Sequence, residues 1–243
     1  MQKLCLSVFY FFIFALFQNT LFAQDSSSAQ LSQANAIAFY NRYIGENAHL
    51  YNGSEYVAYD FRIKGHPYFM TNLLQAGDVN CEGITYPSVN VSYDIIRDEL
   101  ITNRYDANFR IKLPNEKIAY FTLLNHFFIR LIGDSAAKSI ISTGFYDRLY
   151  DGKTKLFAKR KKKIQEKVSF EEGDQLWFAE TDQYYLFKDN RYYEVQNKAS
   201  LLDALKDRKK DLKKFIRKNK LRFKEDIENT IVKTVQYYDQ LKN

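Results

Sequence analysis

Residues 83–124 carry several short apolar alternations separated by turn residues, and this stretch constrains the fold more than any other part of the chain. From 89 to 95 every second residue is apolar, which is the pattern of a strand with one buried face. Residues 109–113 alternate in the same way, and Pro114 followed by Asn115 is typical of a turn between strands. Residues 118–123 are apolar on both faces, which predicts a central strand. The stretch therefore predicts three or four consecutive antiparallel strands.

Strand signals continue on both sides of this central stretch. Alternation over 57–63 predicts a strand before it, and Asp151-Gly152 predicts a β-hairpin after it. Aromatic residues supply most of the strand signals between Trp177 and Val195. About 9–11 strands are predicted in all, and they favour one antiparallel sheet that is strongly curved or barrel-like.

Near Lys198 the spacing of apolar residues changes from every second residue to the three-to-four-residue spacing of a helix. Two apolar stripes, over 201–216 and 227–241, predict a C-terminal helical pair packed on the sheet, and Ser200 is a candidate N-cap for the first helix. Ile37, Tyr40 and Ile44 predict a short N-terminal helix. The predicted fold class is therefore α+β, mainly antiparallel β-sheet with an N-terminal helix and a C-terminal helical pair.

The first 23 residues have the composition of a cleavable targeting segment. Lys3 precedes an apolar run of about 14 residues, which is shorter than the roughly 20 that a membrane-spanning helix needs, and Ala23 is a suitable cleavage site. We expect an exported protein, periplasmic or at the cell surface or extracellular. The predicted organisation is a signal peptide over 1–23, a flexible linker over 24–33, a β-rich domain with its short helix over 34–198, and C-terminal helices over 199–243.

The cysteines and histidines predict neither a disulfide nor a metal site, and no cofactor is expected. Cys81 is the only cysteine outside the targeting segment, so an intramolecular disulfide is not expected. His49, His66 and His126 are scattered, and no pair has the spacing that lets two imidazoles share a metal ion. Neither a Gly-x-Ser-x-Gly elbow nor a phosphate-binding glycine loop is present.

Two carboxylates are the best candidates for an enzyme. Asp60 and Asp94 both lie on the polar faces of predicted strands, where a pair of acids could divide the acid and base roles of glycoside hydrolysis. This gives one alternative function, a hydrolase of envelope or extracellular polymers. Polar-face aspartates that are simply solvated are the structural alternative.

Basic runs are the most prominent surface feature of the sequence. Residues 159–163 are five consecutive cations, and 206–224 holds eleven basic residues against Asp207 and Asp211. We predict that the two runs form a surface for an anionic lipid, another anionic envelope component or an acidic protein face, and the site residues predicted on it are Arg160, Lys161, Lys162 and Lys163. A solvated strand end and helix face is the alternative, and nucleic acid is an unlikely partner for an exported protein.

The predicted function is therefore that of a non-enzymatic cell-envelope protein. It would bind an apolar ligand on the concave face of its sheet or an anionic partner on its basic surface. A purely structural partner of a neighbouring gene product is a further alternative to the hydrolase.

Two segments also suggest a family resemblance. They read GFYDRLYDG at 144–152 and RKNKLRFK at 217–224, the latter followed by YY at 237–238. With these segments the chain resembles exported proteins of unknown function from Gram-negative bacteria. The resemblance implies a periplasmic or surface location, and it implies no activity and no site residue.

Overall fold

The computed structural model describes residues 49–104, 109–133, 140–168 and 173–241, together with Ser32, Asn35 and Ala36. The chain divides into two units, Met1–Gly45 and Glu46–Asn243, and the strands and C-terminal helices all belong to the second. The predicted signal peptide, the linker and the helix over 34–46 lie outside the described residues, apart from those three positions. Ser32, Asn35 and Ala36 are isolated helical positions, and no N-terminal helix as an element is seen among the described residues, which corrects that part of the predicted fold class.

Thirteen strands are present among the described residues. They are β1 (Ser54–Glu55), β2 (Gln75–Cys81), β3 (Ile84–Asp94), β4 (Glu99–Asn103), β5 (Arg110–Lys112), β6 (Ile118–Leu123), β7 (His126–Leu131), β8 (Gly144–Asp151), β9 (Lys155–Lys159), β10 (Lys162–Lys167), β11 (Gln175–Glu180), β12 (Gln183–Lys188) and β13 (Arg191–Glu194). Eleven of them form one sheet in the order β1-β5-β4-β3-β2-β6-β7-β8-β9-β12-β13, and β10 pairs with β11 in a separate two-stranded sheet. Every pair is antiparallel, which confirms the predicted antiparallel sheet.

The large sheet is open, so the prediction of a barrel-like closure is wrong. Its end strands β1 and β13 do not pair with each other. Closure requires a continuous ladder between the end strands with matched tilt and stagger. With only two residues, β1 offers too few backbone groups for such a ladder.

The strand predicted over 57–63 is also wrong. The chain leaves the sheet after Glu55 and runs as a loop to Ile63. Tyr56 is buried on one side of this loop, whereas the Val57 and Phe61 side chains are 69% and 95% exposed. Two of the four apolar positions in the alternation are therefore exposed, so the alternation does not mark a buried face.

Fully buried aromatic rings cover one face of the central strands. Tyr93, Phe121, Phe128 and Phe145 are at most 1% exposed. Their rings pack edge to face or stacked, with centroids 5.3 Å apart for Tyr93 and Phe121 and 4.7 Å for Phe121 and Phe128. Edge-to-face and offset contacts of this kind stabilise cores beyond the area they bury.

Three helices, and not the predicted pair, follow the last strand. They are α1 (Lys198–Ala204), α2 (Lys209–Lys218) and α3 (Ile227–Gln240). A single 3-10 turn over Lys206–Arg208 separates α1 from α2, and its three-residue period hardly displaces the apolar stripe, which is why the sequence suggested one helix. Asn197 is the N-cap of α1, and Ser200 completes its capping box from the third helical position.

The helices pack their apolar sides onto β8, β9, β12 and β13 of the large sheet. Leu201 of α1, Leu212 of α2 and Ile231 of α3 are fully buried together with Leu156 and Leu186 of the sheet. Among the described helices, none has the length and apolar character that crossing a membrane requires.

Candidate functional site

Arg160, the first residue of the predicted binding run, lies inside the protein. Its side chain is 8% exposed. Nε and Nη2 donate to Asp147 Oδ2 at 2.9 and 2.6 Å, and Nη1 donates to Asp182 at 2.8 Å and to Glu228 at 2.6 Å. Asp147 Oδ2 also contacts His126 Nδ1 at 2.7 Å. We call Arg160 and these four residues the Arg160 cluster.

The Arg160 cluster joins four parts of the fold. His126 and Asp147 lie on β7 and β8, Asp182 lies in the turn before β12, and Glu228 lies in the first turn of α3. Burial by itself lowers the pKa of the guanidinium, but the hydrogen bond to Glu228 and the charge of Asp147 raise it above its usual value. The arginine therefore remains charged and its donors are used internally.

The three lysines after Arg160 lie in different environments. Lys161 donates from its backbone to Asp182 and from Nζ to Gln183. Lys162 Nζ donates to the carbonyl oxygens of His66 and Tyr68 at 3.1 and 2.8 Å, and burial lowers its pKa. Lys163 is exposed. The predicted binding of an anionic partner by this run stays a prediction, and Lys163 is the member whose ammonium group is directed to solvent without a described partner.

Asp60 and Asp94, the predicted carboxylate pair, are placed in unlike environments. Asp94 is fully buried and accepts hydrogen bonds from Tyr56 at 2.9 Å and from the backbone of Ile96 at 2.9 Å. Asp60 is at the surface, where hydrogen bonds from Arg62 lower its pKa to about 2. No described contact joins the two carboxylates, so the geometry gives no support to their acting as a pair.

The remaining reactive side chains do not form a site in the described part of the chain. The described residues contain no group of three or more histidine, cysteine, aspartate or glutamate side chains arranged to hold a metal ion. Cys81 is buried, and burial raises the pKa of its thiol, which disfavours the reactive thiolate.

Helix α2 directs a row of cations away from the core. Leu212 and Ile216 are buried against the other helices. On a helix with 3.6 residues per turn this orients Lys213, Lys214 and Arg217 outward, and all three are exposed. The three like charges lie within two turns of each other, and none of them forms an ion pair with a described carboxylate.

The turn after α2 continues this cationic surface. The Leu221 and Lys220 amides donate to the carbonyl oxygens of Ile216 and Arg217 at 3.0 and 3.2 Å, which is the Schellman pattern of a helix end. Lys220 has a φ of +53°, in the left-handed region that usually selects glycine at this position. A lysine is thus held there in a backbone conformation that costs free energy.

Two adjacent grooves lie on this surface, with volumes of about 480 and 560 Å³. Lys214 and Arg217 line both, so they form the ridge between them. The first groove has the apolar side chains of Ile216 and Leu221 among its cations. The second contains Phe215 and Tyr237, whose rings stack 4.1 Å apart. We call the two together the α2 grooves.

The charge of the α2 grooves is of one sign. Their lining includes seven cationic residues, which are Lys198, Lys213, Lys214, Arg217, Lys218, Lys220 and Arg222, and no aspartate or glutamate. Only Arg222 has a described ion pair, with Glu225 at 2.6 Å. Cations near the end of a helix also complement its dipole, but that effect accounts for the last turn alone and not for Lys198 or Lys213.

The sequence contained the signal for the α2 grooves. The eleven basic residues of 206–224 mark the surface, but the site residues were predicted in the shorter run over 159–163. Sequence alone does not show that Lys198, Lys220 and Arg222 lie beside the α2 cations. The turn after α2 brings Lys220 and Arg222 there, and the packing of α1 against α2 brings Lys198. Comparison of the chain with protein-family models, with curated proteins and with solved structures found no match.

Proposed function

We propose that this chain is a non-enzymatic binding protein of the cell envelope, and that an anionic envelope component docks in the α2 grooves. The observation that carries the proposal is the cluster of seven cations that line the grooves without a carboxylate among them. Clefts of one charge concentrate ligands of the opposite charge. An anionic lipid headgroup is the chemistry that fits best, since the groove walls combine ammonium and guanidinium groups with apolar and aromatic side chains.

Two structural features favour this function over the others derived from the sequence. An apolar ligand would need the sheet face, and buried aromatic rings already cover its central strands. The hydrolase would need convergent acids, whereas Asp94 is buried and Asp60 is exposed beside Arg62. The anionic partner needs only the exposed cations of α2 and the following turn.

The test is sedimentation of the full-length protein with vesicles. We expect binding to vesicles of phosphatidylcholine mixed with phosphatidylglycerol, weak binding to pure phosphatidylcholine, and loss of binding as salt is added. Replacing Lys213, Lys214 and Arg217 together by glutamine removes three groove cations. Each juxtamembrane cation contributes about 1 kcal/mol, so the affinity should fall about 100-fold.

A matched variant controls for net charge. Lys206, Lys210 and Lys233 are exposed on the same helical segments and do not line the α2 grooves. Replacing these three by glutamine changes the net charge equally and should leave most of the binding. Equal losses in the two triple variants would mean that the attraction is diffuse, and would refute docking in the grooves.

A further inference from the structure

Strand β10 presents a regular open edge. Its six residues pair with β11 in unbroken register from Lys162 opposite Glu180 to Lys167 opposite Gln175. On its other side β10 has no partner strand among the described residues. The end strands of the large sheet are shorter, with two residues in β1 and four in β13.

The hydrogen-bond register shows which backbone groups face outward. The Thr181 amide donates to the Lys161 carbonyl oxygen at 2.9 Å, so that pair belongs to the bonded class of an antiparallel ladder. Bonded pairs alternate along the ladder, and the N–H and C=O groups of Lys162, Ile164 and Glu166 therefore point away from β11. The structure gives these six groups no backbone partner among the described residues.

The opposite side of the same small sheet confirms this register. There the Lys64 amide donates to Leu176 at 2.9 Å and the Phe178 amide donates to Lys64 at 3.2 Å. Leu176 and Phe178 stand opposite Glu166 and Ile164, so their backbone groups are the outward ones on β11. A neighbouring segment already uses that edge, while the equivalent edge of β10 has no backbone partner among the described residues, and Ile164 on it is 42% exposed.

The charge of β10 decides what can pair with this edge. The strand holds three lysines and one glutamate, and edge lysines oppose pairing with a like strand. A second copy of β10, paired antiparallel through the outward groups of Lys162, Ile164 and Glu166, would set Lys163 opposite Gln165 and so give Lys163 no carboxylate across the new ladder. An acidic strand would instead meet Lys163 on one face, and an apolar residue would meet Ile164 on the other.

We propose that β10 is a docking edge for an extended acidic segment of a partner protein. The segment adds as a third strand to the β11-β10 sheet, bonded to the outward backbone groups of Lys162, Ile164 and Glu166. Backbone hydrogen bonds hold such an added strand and side chains select it. Alternating acidic and apolar residues are the selected pattern. This surface is separate from the α2 grooves and does not depend on them.

The probe is a fluorescein-labelled peptide of alternating glutamate and valine, about seven residues long to span β10. Anisotropy with the full-length protein should show binding that exceeds that of the matching lysine and valine peptide about tenfold or more. Ile164→Pro removes one outward N–H without touching the ladder to β11, and should weaken binding about tenfold. Ile164→Thr keeps the N–H and should bind within about threefold of the wild type.

Lys163→Glu serves as an independent variant, because its side chain is exposed and its substitution leaves the ladder intact. It should reverse the preference between the two peptides. Amide exchange should slow at Ile164 when the acidic peptide binds, and the triple glutamine variant of the α2 grooves should bind the peptide normally.

Three results would overturn the proposal. One is unchanged binding in Ile164→Pro together with an unchanged preference in Lys163→Glu. Another is protection of α2 instead of β10 in amide exchange. The last is a dimer of the free protein in sedimentation that Ile164→Pro abolishes, which would assign the edge to a second copy of the chain.

Discussion

Replacing Arg160 by methionine should strongly destabilise the fold. The change removes both hydrogen bonds to Asp147, which is 1% exposed, and leaves that carboxylate buried with only His126 beside it. Removing one partner of a buried ion pair costs about 3–5 kcal/mol. For a unit of this size about 2–4 °C of melting temperature is lost per kcal/mol, so calorimetry should show a fall of roughly 6–20 °C.

Lys163→Met is the matched control, because Lys163 lies three residues away and is exposed. It should change the free energy of unfolding by no more than about 0.5 kcal/mol. The double variant Arg160→Met with Asp147→Asn should lose less free energy of unfolding than the sum of the losses in the two single variants, because it contains no buried carboxylate without a cationic partner. A melting temperature of Arg160→Met within about 2 °C of the wild type would refute the reasoning, because it would mean that the guanidinium is not holding the cluster together.

Three further predictions concern other positions. Lys220→Gly should stabilise the fold by about 1 kcal/mol in urea unfolding, because glycine adopts a positive φ without cost, yet weaken vesicle binding. Cys81 should react with a thiol reagent only as fast as the protein opens around it, because the residue is 1% exposed and burial also raises the pKa of its thiol. Burial and the charge of Lys162 lower the pKa of His66. The free energy of unfolding should therefore be highest above the pKa of the unfolded histidine, about 6.5, and should decrease as the pH falls below it. His66→Gln should make the free energy of unfolding depend less on pH in that range.

The antiparallel sheet could be predicted because a strand face that packs in the core keeps an apolar residue at every second position. Val89, Val91 and Tyr93 of β3 show this, although Ser92 and Asp94 on the other face are buried too. Asp151-Gly152 lies in the turn between β8 and β9, where a hairpin is predicted. The end strands decide whether a sheet closes, and β1 has only two residues. A strand of two residues shows no alternation in the sequence, so the sequence could not predict that the sheet stays open.

The loop over 56–63 shows the opposite error. Val57 and Phe61 are exposed, so the apolar alternation over 57–63 does not mark a buried face. The inward positions are set by Asp94 instead, because Tyr56 and Tyr59 donate to its buried carboxylate at 2.9 and 3.5 Å, and Arg97 lies 4.1 Å from the centroid of the Tyr59 ring. These two tyrosines are three positions apart and do not follow a period of two. Tertiary contacts, and not the alternation in the sequence, thus decide which side chains of this loop are buried.

The cations of 159–163 show why charge in a sequence is a poor guide to charge on a surface. Lys159 is buried and its Nζ lies 2.8 Å from Asp98, and Arg160 is buried among carboxylates. The chain then crosses from β9 of the large sheet to β10 of the small one, so the next lysines enter a different environment. The five adjacent cations thus lie in an inner ion pair, in a cluster that fastens α3 to the sheet, and on the edge of β10.

The run over 206–224 keeps most of its charge exposed because a helix buries only one side. Burial of Leu212 and Ile216 leaves Lys213, Lys214 and Arg217 of α2 exposed. Basic residues on an amphipathic helix are therefore better evidence for a binding surface than the same residues at a strand boundary, where the chain passes through the core.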